Sequence, residues 1–155
     1  MASLAPKIKG FTLLELLVVL AMSAMLVGVL PMAFGRLREA VDYRSTVRIL
    51  RTELREARML ARMQGAEVRF NFDLDKRTFR IDGRPWRAIP EPLVLRLTIG
   101  DTDWHARRSG SIRFLPGGGA TGGSIDLLRP GGDGARLHID WLSGRVALLP
   151  LTAQP

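Results

Sequence analysis

The chain contains no cysteine, and this absence excludes disulfide bonds and thiolate metal sites. Histidine is scarce as well: His105 and His138 are the two in the sequence, and their separation does not match the spacing of metal ligands. The glycine-rich segment PGGGATGG, residues 116–123, lacks the lysine of a phosphate-binding loop and precedes a predicted strand rather than a helix. No nucleophile motif of a hydrolase is present. The sequence therefore predicts neither an enzyme nor a bound cofactor or metal.

Acidic residues are outnumbered by basic ones. The 155 residues include 23 lysines and arginines but 15 aspartates and glutamates, which gives a formal net charge of +8. Such a balance favours acidic partners, phospholipid head groups or nucleic acid, without choosing among them. The length allows one membrane anchor and one modest domain.

Charge is missing from a long segment near the N-terminus. Residues 16–34, LLVVLAMSAMLVGVLPMAF, are 19 uncharged residues, about the length that a bilayer-spanning helix needs. Glu15 stands directly before them, although a carboxylate costs roughly 2.5–3.5 kcal/mol at the membrane centre and less near the interface. A cleaved secretory signal does not fit, because its apolar region has about 7–15 residues. An ordinary transmembrane anchor accounts for the length but not for Glu15.

The segment KGFTLLELLVVLAM, residues 9–22, resembles a type IV prepilin signal. The resemblance implies a short basic leader that contains Lys7 and Lys9 and ends at Gly10. It also implies cleavage after Gly10, followed by methylation of the new N-terminal residue, Phe11. Unlike the interpretation as a plain anchor, this interpretation accounts for every residue of the segment.

The same resemblance assigns assembly roles to Thr12 and to Glu15, which would be the fifth residue of the mature chain. Cleavage would free an α-amino group at Phe11, and an amine and a carboxylate attract each other strongly in a low dielectric. In pilins the glutamate is thought to pair with the N-terminus of its own or a neighbouring subunit. The simpler alternative is a carboxylate that reaches back to the membrane interface.

The distribution of positive charge conflicts with the topology that the resemblance implies. Cytoplasmic flanks of membrane segments are usually rich in lysine and arginine. Here two lysines precede the apolar segment, whereas its other flank has Arg36, Arg38, Arg44 and Arg48. Counting these charges would place the C-terminal domain in the cytoplasm. A prepilin signal instead implies a single pass through the bacterial inner membrane, with the C-terminal domain in the periplasm. We follow the motif, because it accounts for more residues.

The rest of the predicted helix is amphipathic. Pro31 removes a hydrogen bond inside the apolar segment and predicts a kink there. Beyond Arg36 the arginines lie mainly on a face that is solvated or that meets acidic neighbours or lipid head groups. Gly65 is expected to end the helix. The apolar residues recur mostly at spacings of three, four or seven, and they are Leu37, Val41, Val47, Leu50, Leu54, Ala57 and Ala61.

After Gly65 the period of the apolar residues changes to two, which is typical of β-strands. EVRFNFD and RTFRID, residues 67–73 and 77–82, predict a β-hairpin. Seven short strands after one helix predict an α+β fold in which antiparallel sheets pack on the helix stripe. The remaining five strands are predicted at residues 93–99, 111–115, 124–128, 136–140 and 145–149.

Three further segments resemble the minor pseudopilin H family of type II secretion (GspH/FimT). They are residues 50–73, at the helix end and first strand, residues 112–127, and residues 136–148, which form a closing hairpin. Together with the N-terminal segment, the similarity covers most of the chain, and residues 83–109 match least. The resemblance implies a pilin-like α+β fold: a long, partly transmembrane N-terminal α-helix packed on a C-terminal antiparallel β-sheet or β-sandwich domain.

Together the two resemblances divide the chain into a leader peptide (1–10), a transmembrane and assembly helix (11–35), an amphipathic helix that continues the stem (36–64) and a β-rich periplasmic domain (65–155). They imply a structural subunit of the tip region of a periplasmic pseudopilus, which helps to export folded proteins across the outer membrane. The implied partners are prepilin peptidase, the other minor pseudopilins, the major pseudopilin, the inner-membrane assembly platform, the inner membrane and secreted exoproteins.

The alternative is a minor type IV pilin of the FimT/FimU kind, acting in pilus assembly or DNA uptake. Pilus members of this kind often carry a disulfide near the C-terminus, and this chain has no cysteine. A DNA-binding member should have basic residues in its C-terminal tail to neutralise phosphate, but VALLPLTAQP, residues 146–155, has none. Nucleic acid is therefore not an expected partner.

Overall fold

The computed structural model describes residues 11–99, 102–103 and 109–152, with the backbone alone at 26–37 and 102–103. Lys7, Lys9 and Gly10 lie outside the described residues. The chain divides into two compact units, Met1–Glu39 and Ala40–Pro155.

One helix, α1, spans Leu13–Gln64 and contributes to both units. A helix from Phe11 to about Gln64 was expected, and the observed bounds differ at the first turn. α1 ends where Gly65 adopts a φ of +63°, a conformation that glycine takes without steric cost. The helix continues through Pro31, and a kink there stays a prediction. Within the described residues, no helix is long and apolar enough to cross a membrane.

In the second unit α1 buries one apolar stripe. Each fully buried leucine in it stabilises the fold by about 1.5–3 kcal/mol. The prediction was wrong for Val41, which is 57% exposed. Val41 precedes Val47 by six residues, which places it about 120° away around the helix, whereas the half-buried Tyr43 keeps the spacing of the stripe. The buried members are Val47, Leu50, Leu54, Ala57 and Ala61.

The described strands of the second unit form two antiparallel sheets. In chain order they are β1 (Val68–Asp73), β2 (Thr78–Ile81), β3 (Arg87–Ala88), β4 (Val94–Ile99), β5 (Thr102–Asp103), β6 (Ser109–Phe114), β7 (Gly123–Leu128), β8 (Gly134–Ile139) and β9 (Val146–Leu151). The first sheet has the order β3-β2-β1-β6, and the second has the order β5-β4-β7-β8-β9. The fold is therefore α+β, with antiparallel sheets, as the sequence predicts.

The hydrophobic core contains side chains of α1 and of both sheets. β1 and β2 form the predicted hairpin, in which Phe70 lies opposite Ile81 and Phe72 lies opposite Phe79. The rings of Phe70 and Phe79 stack with 5.8 Å between their centroids. Leu97 of the second sheet is fully buried in the same cluster. Buried residues alternate along β1 with exposed or half-buried ones, which matches the period of two seen in the sequence.

Candidate functional site

The first residues of the described chain form the start of α1. Thr12 caps the helix: its carbonyl oxygen accepts hydrogen bonds from the backbone N–H groups of Glu15, at 3.1 Å, and Leu16, at 3.2 Å. Its Oγ1 also accepts from the Glu15 N–H at 3.3 Å. A threonine followed three residues later by glutamate is the spacing of a capping box, and a carboxylate in the first turn faces the positive end of the helix dipole. Thr12 and Glu15 therefore shape the helix start.

This capping role was missed from the sequence, although the T-x-x-E spacing was visible there. It coexists with the assembly roles predicted for the same two residues, because the cap uses the Thr12 oxygens and leaves the Glu15 side chain exposed. Phe11 precedes the helix and is 77% exposed. The structure thus brings Phe11, Thr12 and Glu15 together at one end of α1.

Apolar side chains of the first unit are exposed over several turns of α1. An apolar surface of this extent marks a site of contact with protein or membrane. The exposed large apolar residues in the part whose side chains are described are Phe11, Leu13, Leu14, Leu16, Leu17, Val18, Val19, Leu20, Met22 and Met25.

In the second unit, α1 carries acidic residues on one flank of its buried stripe. Glu53 pairs with Arg87 of β3, and Glu56 Oε1 accepts a 2.7 Å hydrogen bond from Arg84 Nη2. Burial raises the pKa of Glu53, although the guanidinium of Arg87 acts in the opposite direction. The hydrogen bond from Arg84 lowers the pKa of Glu56. The acidic residues of this flank are therefore paired with arginines of β3 and of the loop before it.

The opposite flank carries arginines that line a groove of about 480 Å³ against the second sheet. We call this feature the arginine groove. Ala135 of β8 and Leu148 of β9 form its other wall. Its residues on α1 are Tyr43, Arg44, Val47, Arg48, Arg51, Thr52 and Arg55.

The turn between β8 and β9 connects the second sheet to α1. Arg58 Nε donates a 2.9 Å hydrogen bond to the carbonyl oxygen of Ser143. The backbone N–H and the hydroxyl of Ser143 both donate to Asp140 Oδ1, at 2.7 and 2.6 Å. The Ala120 N–H donates to the carbonyl of Trp141 at 2.9 Å, so the glycine-rich loop after β6 also contacts this turn. The second and third segments of the family resemblance therefore meet in space.

This turn yields a prediction with a pH dependence. The hydrogen bonds from Ser143 lower the pKa of Asp140, so its stabilisation is present above the ordinary carboxyl range and is lost as the pH falls through the folded-state value. An Asp140→Ala variant should be less stable to urea than the parent at pH 7, and the difference should shrink below about pH 4, as the parent carboxylate gains a proton.

The control is Asp42→Ala, since in its described hydrogen bonds Asp42 accepts through its backbone carbonyl oxygen and not through its carboxylate. An Asp140→Ala deficit that stays constant from pH 7 to pH 3 would show that the charge of Asp140 does not contribute.

The described residues offer no cluster of three histidine, cysteine, aspartate or glutamate side chains that could hold a metal ion.

An exposed Phe-Thr-Leu-Leu-Glu helix start and a helix packed on two antiparallel sheets define a protein of the pilin-like class. The sequence matches the prokaryotic N-terminal methylation motif over residues 6–31 and the family described as type II transport protein GspH over residues 39–144. The chain belongs to the GspH family and is a minor pseudopilin of type II secretion. GspH proteins are structural subunits.

Two relatives illustrate the similarity. The type II secretion system protein H of Xanthomonas campestris pv. campestris is 33% identical over 150 residues, which cover 94% of this chain and 85% of the relative. The minor pseudopilin EpsH from the type 2 secretion system of Vibrio cholerae has a similar fold, with a TM-score of 0.54 at 15% identity. That match covers 70% of this chain and 97% of EpsH.

Proposed function

We propose that this protein is a non-enzymatic subunit in the tip region of a periplasmic pseudopilus, where it helps to export folded proteins across the outer membrane. The observation that carries the proposal is the connection of a methylation motif, at residues 6–31, to a GspH domain through one continuous helix. A subunit of this kind acts by packing against other subunits, which agrees with the extensive apolar exposure of α1.

The proposal includes processing and anchoring of the N-terminal segment. Prepilin peptidase would cut after Gly10 and methylate Phe11, and residues 11–35 would anchor the protein in the inner membrane. The leader lysines, Lys7 and Lys9, would stay on the cytoplasmic side, and the domain at 65–155 would lie in the periplasm. Support comes from the exposed apolar side chains between Phe11 and Met25, which lipid or neighbouring stems would cover.

Assembly would use the start of α1. Cleavage places a new α-amino group at Phe11, next to the cap formed by Thr12. An amine of one subunit that approaches Glu15 of its neighbour would form a strong ion pair in a low dielectric. Candidate partners are other minor pseudopilins, the major pseudopilin and the inner-membrane assembly platform, with exoproteins as cargo.

The test is a pair of substitutions at Glu15 that separate the charge of the side chain from its ability to form hydrogen bonds. Glutamine can occupy the same position of a capping box but has no charge. We expect Glu15→Ala and Glu15→Gln to be cleaved normally. Both should reduce co-purification with the other pseudopilins, and exoprotein secretion, at least tenfold. Each variant removes the ion pair, and a loss of about 1.4 kcal/mol of binding free energy weakens association tenfold.

Glu39→Ala, an acidic residue of the same helix in the first unit, serves as the control and should assemble normally. Full assembly of Glu15→Gln together with failure of Glu15→Ala would show that a polar side chain at position 15, and not its charge, supports assembly. Normal secretion by both variants would contradict the assembly role.

A further inference from the structure

We propose that the arginine groove binds an acidic amphipathic segment of another protein chain. The inference rests on the proposed function in one respect, that the partner is a further subunit or a cargo protein rather than a small molecule. Four observations carry it: the spacing of the arginines, the absence of carboxylate partners for them among the described residues, the apolar wall, and the aromatic ring that Arg129 covers.

The arginines of α1 repeat with alternating spacings of four and three residues. This spacing equals that of the buried stripe, displaced by one residue, so the arginines form a second stripe about 100° around the helix. From the first arginine to the last, the stripe is about 27 Å long at 1.5 Å per residue. Its members are Arg44, Arg48, Arg51, Arg55, Arg58 and Arg62.

Within the described residues, these arginines have no carboxylate partner. Two acidic residues of α1 in this region pair on the other flank instead, Glu53 with Arg87 of β3 and Glu56 with Arg84 of the loop before β3. Arg58 donates to a backbone carbonyl, and the Nε of Arg51 is buried without an acceptor. Like charges one turn apart repel each other, so added carboxylates would relieve a repulsion that the free chain retains.

The facing wall of the groove is apolar. Ala135 is buried, and Leu148 lies opposite Leu137 in the register of β8 and β9, on the face that points toward α1. Leu148 is nevertheless 41% exposed, because β9 is the outer strand of the second sheet and its end of the groove is open. An occupant should therefore present apolar side chains toward Leu148 and carboxylates toward the arginines.

The aromatic ring in the groove is not free to stack on a base. The guanidinium of Arg129 lies 4.3 Å from the ring centroid of Tyr43, and Arg129 is itself held by Asp133 at 3.3 Å. Proteins that bind single-stranded nucleic acid combine a basic groove with open aromatic faces. An apolar wall beside a covered ring favours a peptide over a nucleic acid.

The matching ligand is an amphipathic helix with glutamates at alternating spacings of four and three residues. Such a helix repeats its carboxylates at the same average rise as the arginines, and each arginine can bind a carboxylate through two hydrogen bonds. An apolar stripe beside the glutamates would then contact Leu148.

The experiment uses the full chain in non-ionic detergent and a fluorescein-labelled 18-residue helical peptide with that glutamate stripe and a neighbouring leucine stripe. Fluorescence anisotropy measures its binding at low and moderate salt. We expect the glutamate peptide to bind, and a peptide with lysine in place of glutamate not to bind. The double variant Arg48→Glu/Arg55→Glu should weaken binding at least tenfold, because both side chains are exposed and line the groove.

The matched control is Arg96→Glu/Arg145→Glu, which changes the net charge equally at exposed arginines outside the groove. Its binding should stay within twofold of the parent, and far-ultraviolet circular dichroism should show that both variants are folded. Equal losses in the two variants would reduce the effect to bulk charge and overturn the inference, as would no binding of the glutamate peptide by the parent.

A single-stranded oligonucleotide and anionic lipid vesicles complete the set of probes. Tighter binding of either than of the glutamate peptide, lost in Arg48→Glu/Arg55→Glu, would assign the groove to that ligand and overturn the proposal. Failure of the proposed function is a separate outcome. A protein that binds the peptide but does not support secretion would uphold the binding groove and contradict the pseudopilus role.

Discussion

A Gly10→Ala variant is expected to remain uncut and unmethylated in a host with active prepilin peptidase. The prepilin resemblance places the cut after Gly10, and a residue without a side chain lets an enzyme approach the backbone closely on either side of the scissile bond. Intact mass and N-terminal sequencing of the membrane fraction measure the result. The parent should yield a product that starts at methylated Phe11, and the variant should retain its leader.

Ser3→Ala provides the control within the same leader and should be processed like the parent. A host without the peptidase supplies the uncut standard. If Gly10→Ala gave the methylated Phe11 product at the parental level, the cleavage site proposed here would be wrong. If the parent itself stayed uncut beside an active peptidase, the chain would be a plain membrane-anchored protein.

The second large effect is expected at Gly134, the first residue of β8. A Cβ atom at this position would lie 2.1 Å from the carbonyl oxygen of Leu127 and 3.0 Å from the Cα of Leu128, both on the neighbouring strand β7. Because these are backbone atoms, β7 and β8 must separate to admit it. We expect Gly134→Ala to lower the free energy of unfolding by about 3 kcal/mol, the upper end of the usual cost of overpacking. Urea unfolding, followed by tryptophan fluorescence, measures it.

Gly117→Ala offers a matched control, because an added Cβ there meets no atom within 4 Å. Its free energy of unfolding should stay within about 0.5 kcal/mol of the parent, as for most surface substitutions. Equal losses at Gly134 and Gly117 would show that glycine flexibility, rather than the contact with β7, determines the effect.

Much of the fold could be predicted from local patterns. The alternation of Val68, Phe70 and Phe72 predicted both the presence of β1 and its buried face, and the switch of period at Gly65 predicted the end of α1. All seven predicted strands are present, with ends that differ by a few residues. β3 and β5 were not predicted, since two residues are too few to show a period.

The pairing of strands could not be predicted in the same way. β6 pairs with β1, and β4 pairs with β7, although each pair is separated by other strands along the chain. Such pairings depend on how the whole apolar surface is buried, and no local pattern specifies them. The division into two sheets is therefore a result of the structure.

The candidate sites also divide into features that a local sequence pattern predicts and features that depend on the tertiary structure. The T-x-x-E spacing of Thr12 and Glu15 is local, so the cap could have been read from the sequence. The contact between Arg58 and Ser143 joins residues that are distant along the chain, and it became visible through the structure. The arginine stripe was present in the sequence as a spacing, but its isolation from carboxylates depends on Arg84 and Arg87 facing the other flank.

The order of the strands of the two sheets along the chain affects which strands are unpaired while the protein is being synthesised. As the chain emerges N-terminus first, every strand of the first sheet is available once Phe114 has emerged. The second sheet then consists of β4 and β5, and β4 presents an open edge until β7 arrives to pair with it. Open edges of this kind pair with other chains and promote aggregation. Since residues 115–122 alone separate β6 from β7, the glycine-rich loop keeps that vulnerable period short.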